Sequence, residues 1–431
     1  MGKDTIIIKN LPGPENISRF VLSNGTVMLT FNNPSAESIN MIGLLENGAR
    51  LDPADKLGVA HFTASMLSRG TANKSFAAYH EILESRGANL SFSCGTHQTW
   101  FHGKALSEDI GVLLELASDS LRHPAFTPDY VERMRQQLLA GLAIREQDTA
   151  EVSSLLFDLA LFPGHPYGNP VDGYADTVQA ISRQDLVDYH ASYYSPVGMI
   201  LVIAGALKGL DVKALAESVF ADWQNTPKDM PAVPAIPEAP EEIIRRHRFI
   251  EDKSQTDLIL GTHGPSRKSD DFLPGYLGNN ILGQFGMMGR IGESVRTKSG
   301  LAYHASSSIN ARADSGSWEF TAGLNPENLD KAIRLIQDEI KHFISEPVTA
   351  EELDDSQSNI IGRLPLSLES NAGIANAILT IERFDLGLEY YQHYDEKIRA
   401  ITPQCILETA QKYLHPDKLV IASAGSGEDI P

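Results

Sequence analysis

Two stretches of this sequence repeat the same order of predicted elements, and this repeat constrains the fold more than any other feature. The first begins at Gly87, "GANLSFSCGTHQTWFHGKALSEDIGVLLEL", and the second at Gly300, "GLAYHASSSINARADSGSWEFTAGLNPENLDKAIRLI". Each predicts a strand, a turn, a second strand and an amphipathic helix, followed by a proline and a new helix start. Each half also ends in a short apolar strand, "GMILVIAGA" and "KLVIASAG". The sequence therefore predicts two homologous halves.

A proline-rich stretch separates these halves. Residues 225–242, "NTPKDMPAVPAIPEAPEE", contain five prolines, which neither a packed helix nor a central strand accommodates. A chain of 431 residues is also too long for one ordinary core. We therefore predict an N-terminal half over 1–224, a linker over 225–242 and a C-terminal half over 243–431.

The charge balance limits the classes of partner. The chain carries 36 basic and 56 acidic residues, a net charge of -20, whereas nucleic acids and anionic membranes attract basic surfaces. Cys94 and Cys405 lie far apart and imply no disulfide framework. The run of three isoleucines at 6–8 is too short for a signal peptide, and no stretch has the length of a transmembrane helix. We expect a cytoplasmic protein that binds neither nucleic acid nor membrane.

A helix predicted over 57–69, which includes "GVAHFTASML", has the outline of a zinc-peptidase helix without its chemistry. In the motif H-x-x-E-H, two histidines share one helix face and bind one ion, and the glutamate acts as a general base. Here His61 is followed by Ala64 and Ser65 where the glutamate and the second histidine would stand. A catalytic zinc needs three protein ligands, so His61 alone predicts no metal site. We expect the helix to serve packing through its apolar face.

Other histidines and acidic residues do not replace the motif. His97 and His102 lie five positions apart in a predicted hairpin, and positions five apart in one strand face opposite sides. Glu146 and Glu151 follow a later helix. His165, in "PGHPYG", is predicted to be structural within a turn. We therefore predict no relocated zinc site.

Three longer stretches carry a family resemblance: "LLENGARLDPADKLGVAHFTASMLSRGT", "FPGHPYGNP" with the following "ISRQDLVDYHASYYSPVGMILVIAGA", and "NNILGQFGMMGRIGESVRTKSGLAYHASSSI". In order and spacing they resemble the pitrilysin/insulinase-type zinc peptidases, or inverted zincins. More narrowly, they are similar to the small bacterial members and the mitochondrial processing peptidase subunits. The resemblance implies two α+β halves, each a mostly antiparallel sheet covered by helices on one face. The two sheets would face each other as a clam-like chamber.

The resemblance also implies roles for particular residues. In the family the third zinc ligand is a glutamate from a later helix, and the corresponding position here is Gly141. The pair Arg296 and Tyr303, in "VRTKSGLAY", matches an arginine and a tyrosine that hold the substrate backbone near the scissile bond. A guanidinium offers a fixed fork of donors, and a phenol can donate to a developing oxyanion. The structural alternative is an arginine in a surface ion pair and a tyrosine packed in the sheet.

A glycine-rich segment precedes that pair. Gly283, Gly286 and Gly289 lie in "LGQFGMMGR", where the family often carries a glycine-rich segment associated with substrate entry. A turn that leads into a helix explains the same glycines equally well. No G-K-[ST] follows, so the segment is not a phosphate-binding loop.

From these observations we predict a non-catalytic, substrate-binding subunit of a heteromeric zinc metallopeptidase, inactive alone. Arg296 and Tyr303 would act on a peptide at the zinc site of a homologous partner chain, while this chain binds no cofactor itself. Two alternatives stay open. One is a structural core or scaffold subunit, like the degenerate relatives in respiratory complexes, and the other is a peptide-binding homodimer without catalysis.

Overall fold

The computed structural model describes residues 11–430 as a mixed α+β chain, and the isoleucine run at 6–8 lies outside this range. The strands of the described range are β1 (Ile17–Val21), β2 (Val27–Asn32), β3 (Ser38–Leu45), β4 (Asn89–Cys94), β5 (Thr99–Leu106), β6 (Ile200–Gly205), β7 (Ile244–Phe249), β8 (Thr256–Gly264), β9 (Ala302–Ala311), β10 (Gly316–Leu324) and β11 (Val420–Gly425).

The helices of the same range are α1 (Val59–Met66), α2 (Phe76–Glu84), α3 (Ile110–Arg122), α4 (Pro128–Arg145), α5 (Thr149–Leu161), α6 (Ala175–Ala180), α7 (Arg183–Tyr193), α8 (Val212–Phe220), α9 (Phe272–Gly283), α10 (Phe285–Ile291), α11 (Leu329–Phe343), α12 (Ala350–Ser367), α13 (Asn371–Arg383), α14 (Tyr394–Arg399) and α15 (Pro403–Tyr413). A π-helical segment, Gly292–Lys298, continues α10. The helix predicted over 57–69 is shorter than expected, because Gly58 has φ +94° and α1 begins only after it.

The internal packing divides the chain into two compact units. Unit 1 holds the described residues up to Leu142 together with Pro170–Val233 and Leu364–His393, and unit 2 holds Ala143–Asn169, Pro234–Arg363 and the residues from Tyr394 onward. The units differ from the predicted intervals 1–224 and 243–431 in two segments. Ala143–Asn169 of the first half belongs to unit 2, and Leu364–His393 of the second half belongs to unit 1. The predicted linker contains the change of unit at Pro234, and residues 224–240 form neither helix nor strand.

The sheet of unit 1 has the strand order β1-β2-β6-β3-β5-β4. Its neighbouring strands pair antiparallel except for β2 and β6, which are parallel. The hairpin of β1 and β2 turns at Asn24–Gly25, where Gly25 has the positive φ of +88° that such a turn needs. A mostly antiparallel sheet in the first half is therefore confirmed.

The sheet of unit 2 has the order β7-β11-β8-β10-β9. Again one pair, β7 with β11, is parallel and the other pairs are antiparallel. Strand for strand, this order and these directions reproduce β2-β6-β3-β5-β4 of unit 1. Gly87 and Gly300, where the two repeated stretches begin, both have positive φ, +59° and +62°. The predicted repeat is thus present in the topology of the described chain.

Helices cover both faces of the central strands, which corrects the expectation of helices on one face. In unit 2, Leu258 and Leu260 of β8 join the core formed with α9, α11 and α15, whereas Ile259 packs on the other side against Phe157 and Leu161 of α5. In unit 1, Met41 of β3 lies in the core with α1 and α3, and α13 packs on the opposite face. Each covering helix, α5 or α13, comes from the other half of the sequence, which is why sequence order alone did not reveal it.

Candidate substrate-binding residues and the metal-site positions

The helix that would carry a zinc motif, α1, is held in place by a half-buried acid, Asp52. The Asp52 carboxylate accepts hydrogen bonds from the backbone N–H groups of Gly58 and Ala60, at 2.7 and 3.1 Å, and so caps the first turn. Burial raises the pKa of Asp52 to about 8, although the two hydrogen bonds oppose that shift. Phe62 and Met66 are fully buried in the core of unit 1, as predicted for a helix that serves packing.

The motif positions on α1 provide one possible ligand. His61 is half-buried, and burial lowers its pKa against a smaller opposing effect of Asp172. Ala64 is 1% exposed and Ser65 is half-buried. On α4, Gly141 is exposed, and a Cβ added there would meet open space, so crowding does not explain the missing glutamate. These four residues do not fit a zinc ion.

The other candidate ligands also lie apart from any metal-like cluster. Within residues 11–430 no group of three His, Cys, Asp or Glu side chains could hold a metal ion. His97 is buried in the turn between β4 and β5, whereas His102 is exposed on β5. Glu146 pairs with Arg145 at 3.3 Å, and Glu151 lies in the first turn of α5.

His165 has the structural role predicted for it. Its ring is 2% exposed, and Nδ1 accepts the backbone N–H of Tyr167 at 3.0 Å, which caps the 3-10 turn Pro166–Gly168. Burial is the main cause that lowers its pKa. A neutral ring suits this role, because the accepting nitrogen must stay unprotonated.

Arg296 lies in the π-helical segment of unit 2. The segment is anchored by Val295, which is fully buried in the core of that unit, and it packs against β9. The Arg296 side chain is half-buried, and its guanidinium makes no hydrogen bond or ion pair with any residue between 11 and 430. The ion pair of the structural alternative is therefore not formed within the described chain, and the five N–H donors remain available to a ligand.

Tyr303 is the second residue of β9, the edge strand of the same sheet. It is 70% exposed, which is unusual for a large aromatic side chain and excludes the alternative of a tyrosine packed in the sheet. Its hydroxyl has no protein partner among the described residues. Unit 2 thus presents a guanidinium and a phenol whose donors are both unused.

The three glycines of the glycine-rich segment have different structural causes. A Cβ at Gly283 would collide with Ser307 of β9, because α9 lies directly on that strand. At Gly289, where φ is +63°, a Cβ would lie 2.5 Å from the Ile281 carbonyl oxygen. Gly286, with φ +61°, faces open space. Gly283 lies at the end of α9, and Gly286 and Gly289 lie within α10 rather than in a turn before a helix. A role of the segment in substrate entry stays a prediction.

Sequence reasoning missed a second group of polar side chains. Asn40, His102 and Lys104 lie side by side on the face of the unit 1 sheet against which α13 packs. The signal was the strict alternation in "TWFHGKAL", where Trp100, His102 and Lys104 alternate with buried residues.

The comparisons with known proteins cover most of the chain. Residues 27–171 match the family described as insulinase (peptidase family M16), and residues 180–360 match the one described as peptidase M16 inactive domain. An uncharacterized zinc protease of Rickettsia bellii is 26% identical over 359 residues, which are 83% of this chain and 85% of the relative.

Solved structures agree with this assignment. The peptidase M16 inactive domain from Pseudomonas fluorescens superimposes with a TM-score of 0.88 at 26% identity, covering 96% of this chain and 99% of that one. A protease from Helicobacter pylori shares the fold, with a TM-score of 0.87 at 19% identity over 95% and 99% of the two chains. No helix among residues 11–430 combines the length and apolar character needed to cross a bilayer. The zinc-motif positions hold Ala64, Ser65 and Gly141. By its matches over most of its length, the chain belongs to the pitrilysin/insulinase-type peptidase family, M16.

Proposed function

We propose that this chain is the substrate-binding, non-catalytic subunit of a heteromeric zinc peptidase. It would supply Arg296 and Tyr303 to the zinc site of a homologous partner chain. One observation carries the proposal. The guanidinium of Arg296 has no protein partner within residues 11–430, and the Tyr303 ring is 70% exposed. Neither group is engaged within the described chain, so both are available to bind a ligand.

The loss of the zinc motif supports a divided role. This chain keeps the packing face of α1, with Phe62 fully buried, while Ala64 and Ser65 leave it without a general base or a second ligand. Relatives of similar length are named zinc proteases, and one solved relative is named an inactive domain. A family that contains both kinds of protein can place the metal in one chain and the substrate clamp in another.

The proposed substrate is a peptide, and its cleavage would follow from two complementary groups. The guanidinium of Arg296 has the planar fork that grips a backbone carbonyl, and the phenol of Tyr303 can donate to the oxygen that becomes negative during attack. The zinc and its activated water would come from the partner. The exposed position of Tyr303 on an edge strand leaves it accessible to an extended peptide.

The experiment is a peptide-cleavage assay on this chain mixed with a homologous chain from the same genome that carries H-x-x-E-H. Each chain alone should be inactive and the pair active. Arg296→Ala and Tyr303→Phe should each lower kcat/KM at least about tenfold, because an oxyanion-type donor is typically worth 10²–10³ in kcat. Arg296→Lys should also be impaired, since an ammonium lacks the planar fork. His61→Ala is the matched control and should change kcat/KM less than about twofold.

Assembly is measured on every variant by sedimentation, which separates lost binding of the partner from lost activity. Full activity of an assembled Arg296→Ala, Tyr303→Phe double variant would contradict the proposal and favour the scaffold alternative. Saturable peptide binding by this chain alone, with no cleavage beside the zinc-bearing chain, would instead favour the peptide-binding homodimer.

A further inference from the structure

A polar row crosses the sheet of unit 1 on the side where α13 packs. Lys104 of β5 is paired with Asn40 of β3 on one side and with Asn89 of β4 on the other. His102 lies two positions along β5, and therefore on the same face as Lys104. The residues that alternate with them, such as Phe101, are buried on the opposite face. Register alone thus gathers two amides, an imidazole and an ammonium on one patch of sheet.

This row borders a small cavity with α13 as its wall. The cavity has a volume of about 190 Å³ and is lined by Asn40, Asn89, His102, Lys104 and Asn376, with apolar atoms between them. Among the described residues that line it, none is acidic. A carboxylate-free, donor-lined cavity is notable in a chain whose net charge is -20.

The donors around the cavity are not used by the protein. The side chains of Asn40, Asn89, His102 and Lys104 make no hydrogen bond or ion pair with residues 11–430. Asn376 donates to the Ala372 carbonyl of its own helix at 2.9 Å, which leaves its amide oxygen and one N–H. Partial burial lowers the pKa of His102. Asn40 is half-buried and the other four side chains are exposed, so their donors line one cavity and are open to a ligand from solvent.

We propose that this cavity binds an oxyanion, a carboxylate or phosphate group, of a small ligand or peptide. The chemistry follows from the lining. Lys104 provides the single positive charge, and the amides of Asn40 and Asn89 and the His102 ring provide N–H donors on both sides of it. A cation would find no acidic partner here, and an apolar ligand would leave these donors unsatisfied. The cavity has room for one such group and its first few atoms, because a water molecule occupies about 30 Å³.

The inference does not depend on the proposed function, since it uses neither Arg296 nor Tyr303. The oxyanion could belong to free phosphate or to the C-terminus of a peptide, and the test distinguishes these sources. Inorganic phosphate is one probe. An N-acetylated tetrapeptide is the second, compared as its free acid and as its C-terminal amide. Binding is measured by calorimetry on the full chain, at an ionic strength held constant with sodium chloride.

We expect saturable binding of at least one oxyanion probe, and none of the peptide amide. Lys104→Met should weaken that binding at least about tenfold, because it removes the charged donor that pairs with the oxyanion. Lys104→Arg should retain it. The matched control is Lys208→Met, an exposed lysine of the same unit that makes no ion pair with a described residue, which should change affinity less than about twofold. His102→Gln gives an independent test if Lys104→Met does not fold, because the lost ring donor should also weaken binding.

The inference is overturned if neither phosphate nor the free-acid peptide binds saturably. It is also overturned if Lys104→Met and His102→Gln bind either probe as the unchanged chain does. Failure of the assay on the Arg296 and Tyr303 variants would leave this result untouched, so the two proposals fail separately.

Discussion

Unit 1 and unit 2 share a framework and differ in the segments that follow one strand of it. Five strands run in the same order and direction in both sheets, with one parallel pair at the same place. After β3 the chain of unit 1 forms the eight-residue α1, whereas after β8 the chain of unit 2 forms α9, α10 and a π-helical segment. The sheet must keep its pairing to bury its core, but the segment after it is free to change. Arg296 of unit 2 and the altered zinc positions Ala64 and Ser65 of unit 1 both lie in such segments.

The glycines at the ends of two equivalent strands offer the strongest test of the shared framework. Gly205 ends β6 with φ +141°, and Gly425 ends β11 with φ +144°. A Cβ at Gly205 would collide with the Ser38 carbonyl oxygen, and one at Gly425 would lie 2.5 Å from that of Gln255. We expect Gly205→Ala and Gly425→Ala each to lower the free energy of unfolding by more than about 3 kcal/mol, because strain and collision add. Urea unfolding measures this loss.

The matched controls are Gly87→Ala and Gly300→Ala. These glycines also have positive φ, but a Cβ at either one faces open space. Each control should cost only the left-handed strain of about 1–2 kcal/mol. If the strand-end variants cost no more than these controls, the close backbone approach is not what the two units share.

Asp52 of unit 1 and Glu352 of unit 2 provide a second comparison, because each is a half-buried acid that caps a helix. The pKa of Asp52 in the folded chain is about 8, above its ordinary value of 3.8, so the folded chain retains a proton that the unfolded chain has released. Stability should therefore fall as the pH rises from about 4 to 8. Relative to the unchanged chain, Asp52→Asn should gain at least about 2 kcal/mol in the free energy of unfolding over this window. The control is the exposed Asp55→Asn, and a pH-independent difference for Asp52→Asn would contradict the prediction.

Glu352 caps α12 in unit 2, and its pKa is shifted in the opposite direction to that of Asp52. Its carboxylate accepts two hydrogen bonds from Arg290, at 2.7 and 2.8 Å, and one from the backbone N–H of Thr349 at 2.9 Å. The Glu352 backbone N–H in turn donates to the Thr349 hydroxyl at 3.2 Å, which forms a capping box. Burial alone would raise the pKa of Glu352, but these hydrogen bonds outweigh it and lower the pKa from 4.5 to about 2.

This acid should therefore stabilise the fold above pH 4.5 and lose that contribution as the pH falls toward 2. Glu352→Gln should lower the free energy of unfolding by about 1–2 kcal/mol at pH 7, a value reduced for partial exposure. The loss should be smaller at pH 3. Glu351→Gln, an exposed neighbour, is the control. An equal loss at both pH values would show that shape, rather than charge, is what Glu352 contributes.

Several elements could be predicted because their signals are local. The turn at Asn24–Gly25 and the Thr349–Glu352 capping box each depend on residues no more than three positions apart, so their signals can be read without knowledge of the fold. The repeat was visible for the same reason, since each copy contains its own strand, turn and helix signals. The edge of α1 was not predicted correctly, because a glycine at positive φ delays its start. The polar face of β5 was missed because alternation shows that a strand has two different faces but not which element packs on each face.

The sequence by itself determined the duplicated order of elements, the strand and helix types and the loss of the zinc motif, because these depend on residue identity and short spacing. Tertiary structure alone decided which helix covers which sheet. α5 and α13 each pack on the sheet of the other half of the sequence. The hydrophobic effect is non-directional, so the apolar face of a helix does not specify which surface it will bury. Tertiary structure also decided that Arg296 and Lys104 have no protein partner among the described residues, since a side chain's partners come from distant parts of the chain.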